Sequence, residues 1–405
     1  MKLGVILFKQ HIGKHFKKHW AIQGRKKILN TPAEKILLKN GITIHKPEDF
    51  FEKRKSEKVK IVGMKPVPIK FNKTHANWHD KVLFTCNDNN VLLEGLQQAQ
   101  VLTRSVRIEE GLPSSYVTNP LSKEINSKVK NIILNSHVFD AEQQKLPKIK
   151  DPERPAWNFP RVYGITQNRR NKLITSKLLN LLETQEEYDI VKDRFILNDL
   201  YFSFPFMKED NLIQFRMTGD TVLVSRKPLS SVTDEPTQDH ELPNLHPIHY
   251  TATLKEENIY ELQNIYPIRK EINVSHPHTV FIHFDETMVN NLFEEEVTET
   301  QIHGRSLLKT FTVAASYAKQ RFGDDVKELP TPVTVQCVHT DGRLFQFGVL
   351  QVNTLNLEDS QVKNIWYQTE RLPLFEVCKY DDGKPLLKGY NDQVVKNLFS
   401  FYNKH

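Results

Sequence analysis

The sequence predicts an α+β fold. It reads as a mixed body of helices and a mainly antiparallel sheet, including a 333–352 hairpin, behind a basic N-terminal extension. Three observations carry that expectation. Apolar residues recur at helical spacing near 92–103, 171–185, 304–323 and 395–402. From Asp193 onward, short β-branched and aromatic runs alternate with turn residues. Positive charge gathers at one end: residues 1–60 hold 16 Lys/Arg against 5 Asp/Glu, whereas the remaining 345 hold 40 against 44.

The bulk numbers narrow the class. With 39% hydrophobic and 26% charged residues among 405, the chain can bury a core. No apolar run approaches the roughly 18 residues of a membrane span. Three widely spaced cysteines, Cys86, Cys337 and Cys378, offer no disulfide framework and fit a reducing compartment.

Four segments follow. Residues 1–30 read as a mitochondrial transit peptide: no acid precedes Glu34, and on a helix Val5, Phe8, Ile12, Phe16 and Trp20 share a face opposite Lys14, Lys17 and Lys18. The leader is Lys-rich and Ser-poor, and its His11, His15 and His19 read as part of a polar face. Residues 31–80 read as a basic extended arm, with Pro66 and Pro68 and no sustained helical period. Such an arm either follows phosphates, displacing counterions, or is a solvated linker. Residues 81–192 form the mainly helical part of the body, and 193–405 a strand-rich α+β part with a C-terminal helix.

Within the body, Asp88 to Asn90 supply caps for a helix carrying Leu92, Leu96, Ala99 and Leu102, which Gly111 and Pro113 close. Leu173, Leu178, Leu179 and Leu182 mark a second helix. Between them, Trp157, Phe159 and Tyr163 sit among prolines and basic residues. That mixture serves either to stack unpaired RNA bases or to dock a loop on the core, and the docked loop is the simpler reading. The runs "RFILNDLYFSFPF", "NLIQFRM", "TVLVSR" and "HPHTVFIHFD" read as strands, with a polar loop over 227–247. Leu307, Phe311, Ala314 and Ala318 define a long helix, and Val395, Leu398, Phe399 and Tyr402 the last one.

The hairpin "VTVQCVHTDGRLFQFGVLQ" raises the question of an acid/base role for Asp341. A three-residue loop, Thr340-Asp341-Gly342, would pair His339 with Arg343, Cys337 with Phe345, Val335 with Phe347 and Val333 with Val349, placing the apolar partners on one face. Gly342 then supplies the left-handed turn position, and Asp341 serves the turn through its side chain.

Other chemistry is sparse. His276, His278 and His283 beside Asp285 could suggest a metal, but His278 and His283 are expected on opposite faces of a strand. Ser306 and Lys309 match an SxxK spacing without its partner motifs. No P-loop, GxGxxG, GxSxG, HExxH or EF-hand loop occurs. No catalytic residue, metal, cofactor or small-molecule substrate is therefore expected. The candidate RNA contacts are Lys53, Arg54, Lys55, Lys58 and Lys60 in the arm and Arg169, Arg170 and Lys172 in the body.

"LLEGLQQAQVLTRSVRIEEGLP" (92–113) and "PVTVQCVHTDGRLFQFGVLQVNTLNLE" (332–358) resemble the mitochondrial large-subunit ribosomal protein thirty-seven family. "NIYELQNIYPI", "HPHTVFIHF" and "VKNIWY" add matches in the same order, while 115–250 matches in patches. The resemblance implies a non-enzymatic constituent of the mitochondrial ribosome in the matrix. Its partners would be large-subunit rRNA and other mitoribosomal proteins. Among these is a related sister numbered thirty, linked by name to programmed cell death. The same charges would also serve a free mitochondrial RNA-binding factor, and the His276 group or Ser306 a matrix enzyme.

Overall fold

The computed structural model describes residues 31–45 and 72–405, apart from 149–152, 155–156, 158, 161, 235–236, 290, 293–294 and 359. Residues 1–69 and 70–405 form separate units. In the first, helix α1 (Pro32–Lys39) lies within the stretch expected to be extended. Its cause is local. Thr31 and Glu34 form a capping box with Pro32 in the first turn, and none of its residues is buried.

The second unit is built on one mixed sheet. In chain order its elements are β1 (Trp78–Cys86), α2 (Gly95–Thr103), β2 (Ser105–Arg107), α3 (Lys123–His137), β3 (Gln144–Lys145), β4 (Tyr163–Gly164), α4 (Gln167–Gln185) and α5 (Tyr188–Val191). There follow β5 (Arg194–Lys208), β6 (Asn211–Ser225), β7 (Lys255–Ile259), β8 (His276–His283) and α6 (Glu299–Phe322). The chain ends with β9 (Glu328–Thr340), β10 (Leu344–Thr354), β11 (Asn364–Gln368), β12 (Leu372–Pro373), β13 (Val377–Asp381), β14 (Lys384–Lys388) and α7 (Asp392–Tyr402).

Ten strands make the main sheet, in the order β2-β11-β10-β9-β8-β6-β1-β7, with β5 on β6 and β12 on β10. Most pairings are antiparallel. The β1–β6, β8–β9 and β2–β11 pairs are parallel. The two runs "NLIQFRM" and "TVLVSR" are one continuous strand, β6, held by β5 along its length.

Alternation along the central strands feeds two cores. Val333, Val335, Cys337, Leu350, Val352 and Trp366 pack with α2 and α6. Val338, Phe345, Phe347, Val349, Ile365 and Tyr367 pack with α3, α4 and α7. The sheet is thus a middle layer buried on both faces.

That burial overturns the expected hairpin register. Thr340 pairs with Phe345, Val338 with Phe347, Val335 with Leu350 and Val333 with Val352. Phe345 and Phe347 therefore face away from Val335 and Cys337. The expectation assumed a single apolar face. With helices on both sides, a register three residues away exposes no apolar side chain, so alternation alone could not choose between them.

Two contacts fix α6. Thr298 and Gln301 form its capping box. A Cβ at Gly304 would meet the Gly95 carbonyl oxygen at 2.5 Å, and one at Gly95 would meet the Thr300 backbone at the same distance. Glycine on both helices lets α2 and α6 cross backbone to backbone. Gly95, with φ +53°, is the glycine of "LLEG".

Candidate nucleic-acid interface

The body's candidate cations sit in the first turn and a half of α4, where the Thr166 side chain caps the Arg169 N–H. Arg169 is held by Asp140 through two nitrogens and by Glu142 at 2.5 Å. The hydrogen bond to Asp140 raises the guanidinium's pKa, and the same bond lowers that of Asp140. Lys172 pairs with Asp199 at 3.1 Å, both side chains about half exposed. Arg170 differs: burial disfavours its charge, and its Nε has no hydrogen-bond partner. The three cations thus share a helix end, and two of them already have carboxylates. The half-exposed Lys172–Asp199 pair is worth about 0–1 kcal/mol, which a phosphate can match, whereas Arg169 is forked onto an Asp140 side chain that is only 13% exposed. Lys53, Arg54, Lys55, Lys58 and Lys60 lie outside the described residues, as do 1–30 with His11, His15 and His19.

The aromatic loop departs from its simpler reading. Trp157 and Tyr163 are 62% and 65% exposed, so they are not docked on the core, whereas Phe159 is half-buried. The β3–β4 ribbon sets Tyr163 opposite Lys145, which is also exposed. An exposed aromatic residue paired across a ribbon with an exposed lysine is a combination that can stack a base and hold its phosphate. Phe139 and Tyr380 make a second exposed aromatic pair, with centroids 6.4 Å apart.

The histidines and the SxxK pair are engaged inside the body. The Tyr317 hydroxyl donates to His276 Nδ1 at 2.5 Å. A bulge in β8 opposite Leu223/Val224 leaves His278 outside the alternation. His278 consequently bonds the Lys404 carbonyl beyond α7, while His283 bonds Thr175 of α4. Both reach the same helical layer, contrary to the opposite faces expected of a regular strand. Among the described residues, no group of three or more His, Cys, Asp or Glu is arranged to hold a metal.

Ser306 and Lys309 turn to different partners. Ser306 bonds His339 Nδ1 at 2.8 Å and Gln346 Oε1 at 2.6 Å, all fully enclosed between α6 and the hairpin. Lys309 donates to Asp88 at 2.6 Å and to the Thr218 carbonyl at 2.9 Å. Burial and Arg305 push the Lys309 amine down. Burial also opposes ionisation of Asp88, but Lys309 and Thr218 outweigh it and hold the carboxyl below its usual value. We take the pair as ionised, because Lys309 Nζ donates both to the Asp88 carboxylate and to a carbonyl oxygen.

At the hairpin tip, Asp341 Oδ1 accepts from the N–H groups of Arg343 and Leu344 at 2.8 and 2.7 Å. Gly342 has φ +89°. The turn roles expected for both residues hold. The tip is drier than expected, however, because Asp341 also pairs with Arg371 at 2.9 Å and only 16% of its side chain is exposed.

A family model described as "Mitochondrial 28S ribosomal protein S30 (PDCD9)" matches residues 282–405. The Rattus norvegicus protein named "Large ribosomal subunit protein mL37" is 30% identical over 293 residues, which cover 69% of this chain and 64% of that protein. The Mus musculus protein of the same name is 30% identical over 296 residues, with the same coverage. The Bos taurus one is 27% identical over 310 residues, 74% of this chain and 68% of that protein. The chain is similar to the mL37 proteins over about 70% of its length.

It spans a little under two thirds of the length of the rat and mouse mL37 proteins. The family-model description speaks of a 28S protein, the relatives' names of a large-subunit one. The relatives' alignments cover more than twice as much of this chain as the family model does. Both motifs that carried the resemblance do structural work in it. "LLEG" provides the helix crossing at Gly95, and "TDGR" provides the tip fixed by Asp341 and Gly342. Sequence reasoning missed the Asp88–Lys309 pair, whose members are 221 positions apart and were read separately as a cap and an SxxK lysine. It also missed α3, although Ser122 as a cap and Val129 and Ile133 at helical spacing were there to be read. Among the described residues, no helix is long and apolar enough to cross a membrane.

Proposed function

We propose that the chain is a structural, non-catalytic constituent of the large subunit of the mitochondrial ribosome. It resides in the matrix and serves mitochondrial translation. The observation that carries this reading is similarity to proteins named mL37 over 69% of the chain. The charge distribution supports it, because a basic N-terminal 60 residues ahead of a near-neutral body suits a phosphate-rich particle. In this reading Lys53, Arg54, Lys55, Lys58 and Lys60 contact rRNA phosphates, joined by Arg169, Arg170 and Lys172 at the start of α4. Trp157 and Tyr163 stack unpaired bases beside Lys145. The remaining surface meets other mitoribosomal proteins, among them a relative of the S30 (PDCD9) protein that the family model describes. The decisive experiment is sedimentation of tagged protein from lysed mitochondria. It should travel with the large subunit and its rRNA. Recovery only at the top of the gradient, or with messenger or transfer RNA alone, would reject the proposal.

A further inference from the structure

A cavity of about 400 Å³ opens between the C-terminal end of α6, the start of β9 and the loop after β6. Its walls are apolar, with Leu229, Pro332 and Phe322 among them, and no acidic residue lines it. Its polar groups form a directed chain. Arg321 Nη1 donates to the Tyr317 hydroxyl at 3.1 Å, and that hydroxyl lies 2.5 Å from His276 Nδ1; because its oxygen already accepts from Arg321, we assign its proton to His276 Nδ1. Burial, aided by Arg321, lowers the His276 pKa to about 4, so the ring is neutral. A neutral ring that accepts at Nδ1 carries its proton on Nε2. Among the described residues, Nε2 finds no acceptor, so this N–H is free to donate. Arg321 is exposed and makes no ion pair with a described residue. Arg321 and the His276 Nε2–H therefore both offer donors at an apolar hollow.

We propose that this cavity binds the C-terminal carboxylate of a partner protein whose last residue carries an apolar side chain. A carboxylate accepts the forked bonds of Arg321 together with the His276 N–H, while the apolar side chain fills the hollow. The surplus of donors demands an anion. The proline and leucine walls favour a hydrocarbon stem over the sugar that flanks an RNA phosphate. This site does not depend on the ribosomal reading, since it is built wholly within the body.

The test uses the full-length chain and a fluorescently tagged peptide ending in Ser-Leu, with either a free or an amidated C-terminus. Anisotropy should show the free acid binding roughly tenfold or more tightly than the amide, the usual worth of a charge-assisted hydrogen bond. Arg321→Gln should lose a similar factor without a change in melting temperature, because that side chain is exposed. Equal binding of acid and amide, no binding of either, or full affinity in Arg321→Gln would overturn the proposal. So would 4-methylpentanoate binding as tightly as the peptide, or a single-stranded oligonucleotide displacing it.

Discussion

The two faces of the sheet are buried to the same degree but by different means. Toward α3, α4 and α7, the core centres on aliphatic and aromatic side chains, with His278, His283 and Arg194 each hydrogen-bonded to a helix or its end: Phe347 meets Phe401 edge-on at 5.2 Å, and Tyr116 tilts onto the same ring. Toward α2 and α6, the layer combines apolar packing with a glycine-to-glycine crossing and an enclosed set of polar and charged groups. These include Lys309, Arg305, Ser306 and His339. An apolar core tolerates changes that preserve volume. A layer of close backbone contact and paired charge depends on each member individually.

The largest effects should come from emptying each side at its centre. Phe347→Ala removes a fully buried ring and should cost about 3–5 kcal/mol, whereas Phe347→Leu should recover most of that. Lys309→Ala should cost a comparable ~3–5 kcal/mol, because Asp88 loses its ammonium in a mostly buried setting. The double change Asp88→Asn with Lys309→Met should be milder than Lys309→Ala. Urea denaturation of the four variants tests the comparison directly. If Lys309→Ala behaved like a surface change, the two faces would not differ in the way described.

The same pair predicts a pH dependence. Asp88 is depressed in the folded state, so its contribution is complete above the ordinary carboxylate value and is lost as pH falls through the folded one. The Lys309→Ala variant should therefore show a shallower acid limb below the ordinary carboxylate range. Equal slopes for the two proteins would mean that the pair is not the source.

Asp341→Asn should cost roughly 1.5–3 kcal/mol, since it keeps the turn acceptor but leaves Arg371 without its charge partner. Assembly into the particle should survive. Gly304→Ala sharpens the contrast further. In an ordinary helix, alanine would gain about 1 kcal/mol. Here its Cβ meets the Gly95 carbonyl at 2.5 Å, and the net should be a loss of about 1–3 kcal/mol. A gain in melting temperature would show that α2 moves aside freely.

What the sequence disclosed follows the same division. The α2, α4, α6 and α7 helices were legible because their apolar stripes repeat locally, and β5, β6 and β8 because their runs are β-branched and aromatic. Register was not legible, because a strand buried on both faces gives alternation nothing to distinguish. Nor was the orientation of His278, which depends on a single extra residue opposite Leu223/Val224. The Asp88–Lys309 pair rests on long-range folding and leaves no local pattern. The exposure of Trp157 and Tyr163 could not be told from docking, since the same residue types serve both.

The smallest effect on stability should come from the start of α4, and there the comparison passes from folding to binding. Lys172→Ala removes one half-exposed ion pair, so unfolding should shift by no more than about 1 kcal/mol. If Lys172 exchanges Asp199 for an rRNA phosphate, the same change should weaken RNA binding across sequences and reduce the salt slope by about 1. Asp199→Asn provides the opposite lever. It frees the lysine and should tighten binding by a similar factor. A filter-binding salt titration of the three proteins on large-subunit rRNA separates these outcomes. Identical slopes would leave Lys172 a surface charge with a purely intramolecular partner. The RNA contacts would then have to be sought in the basic N-terminal segment.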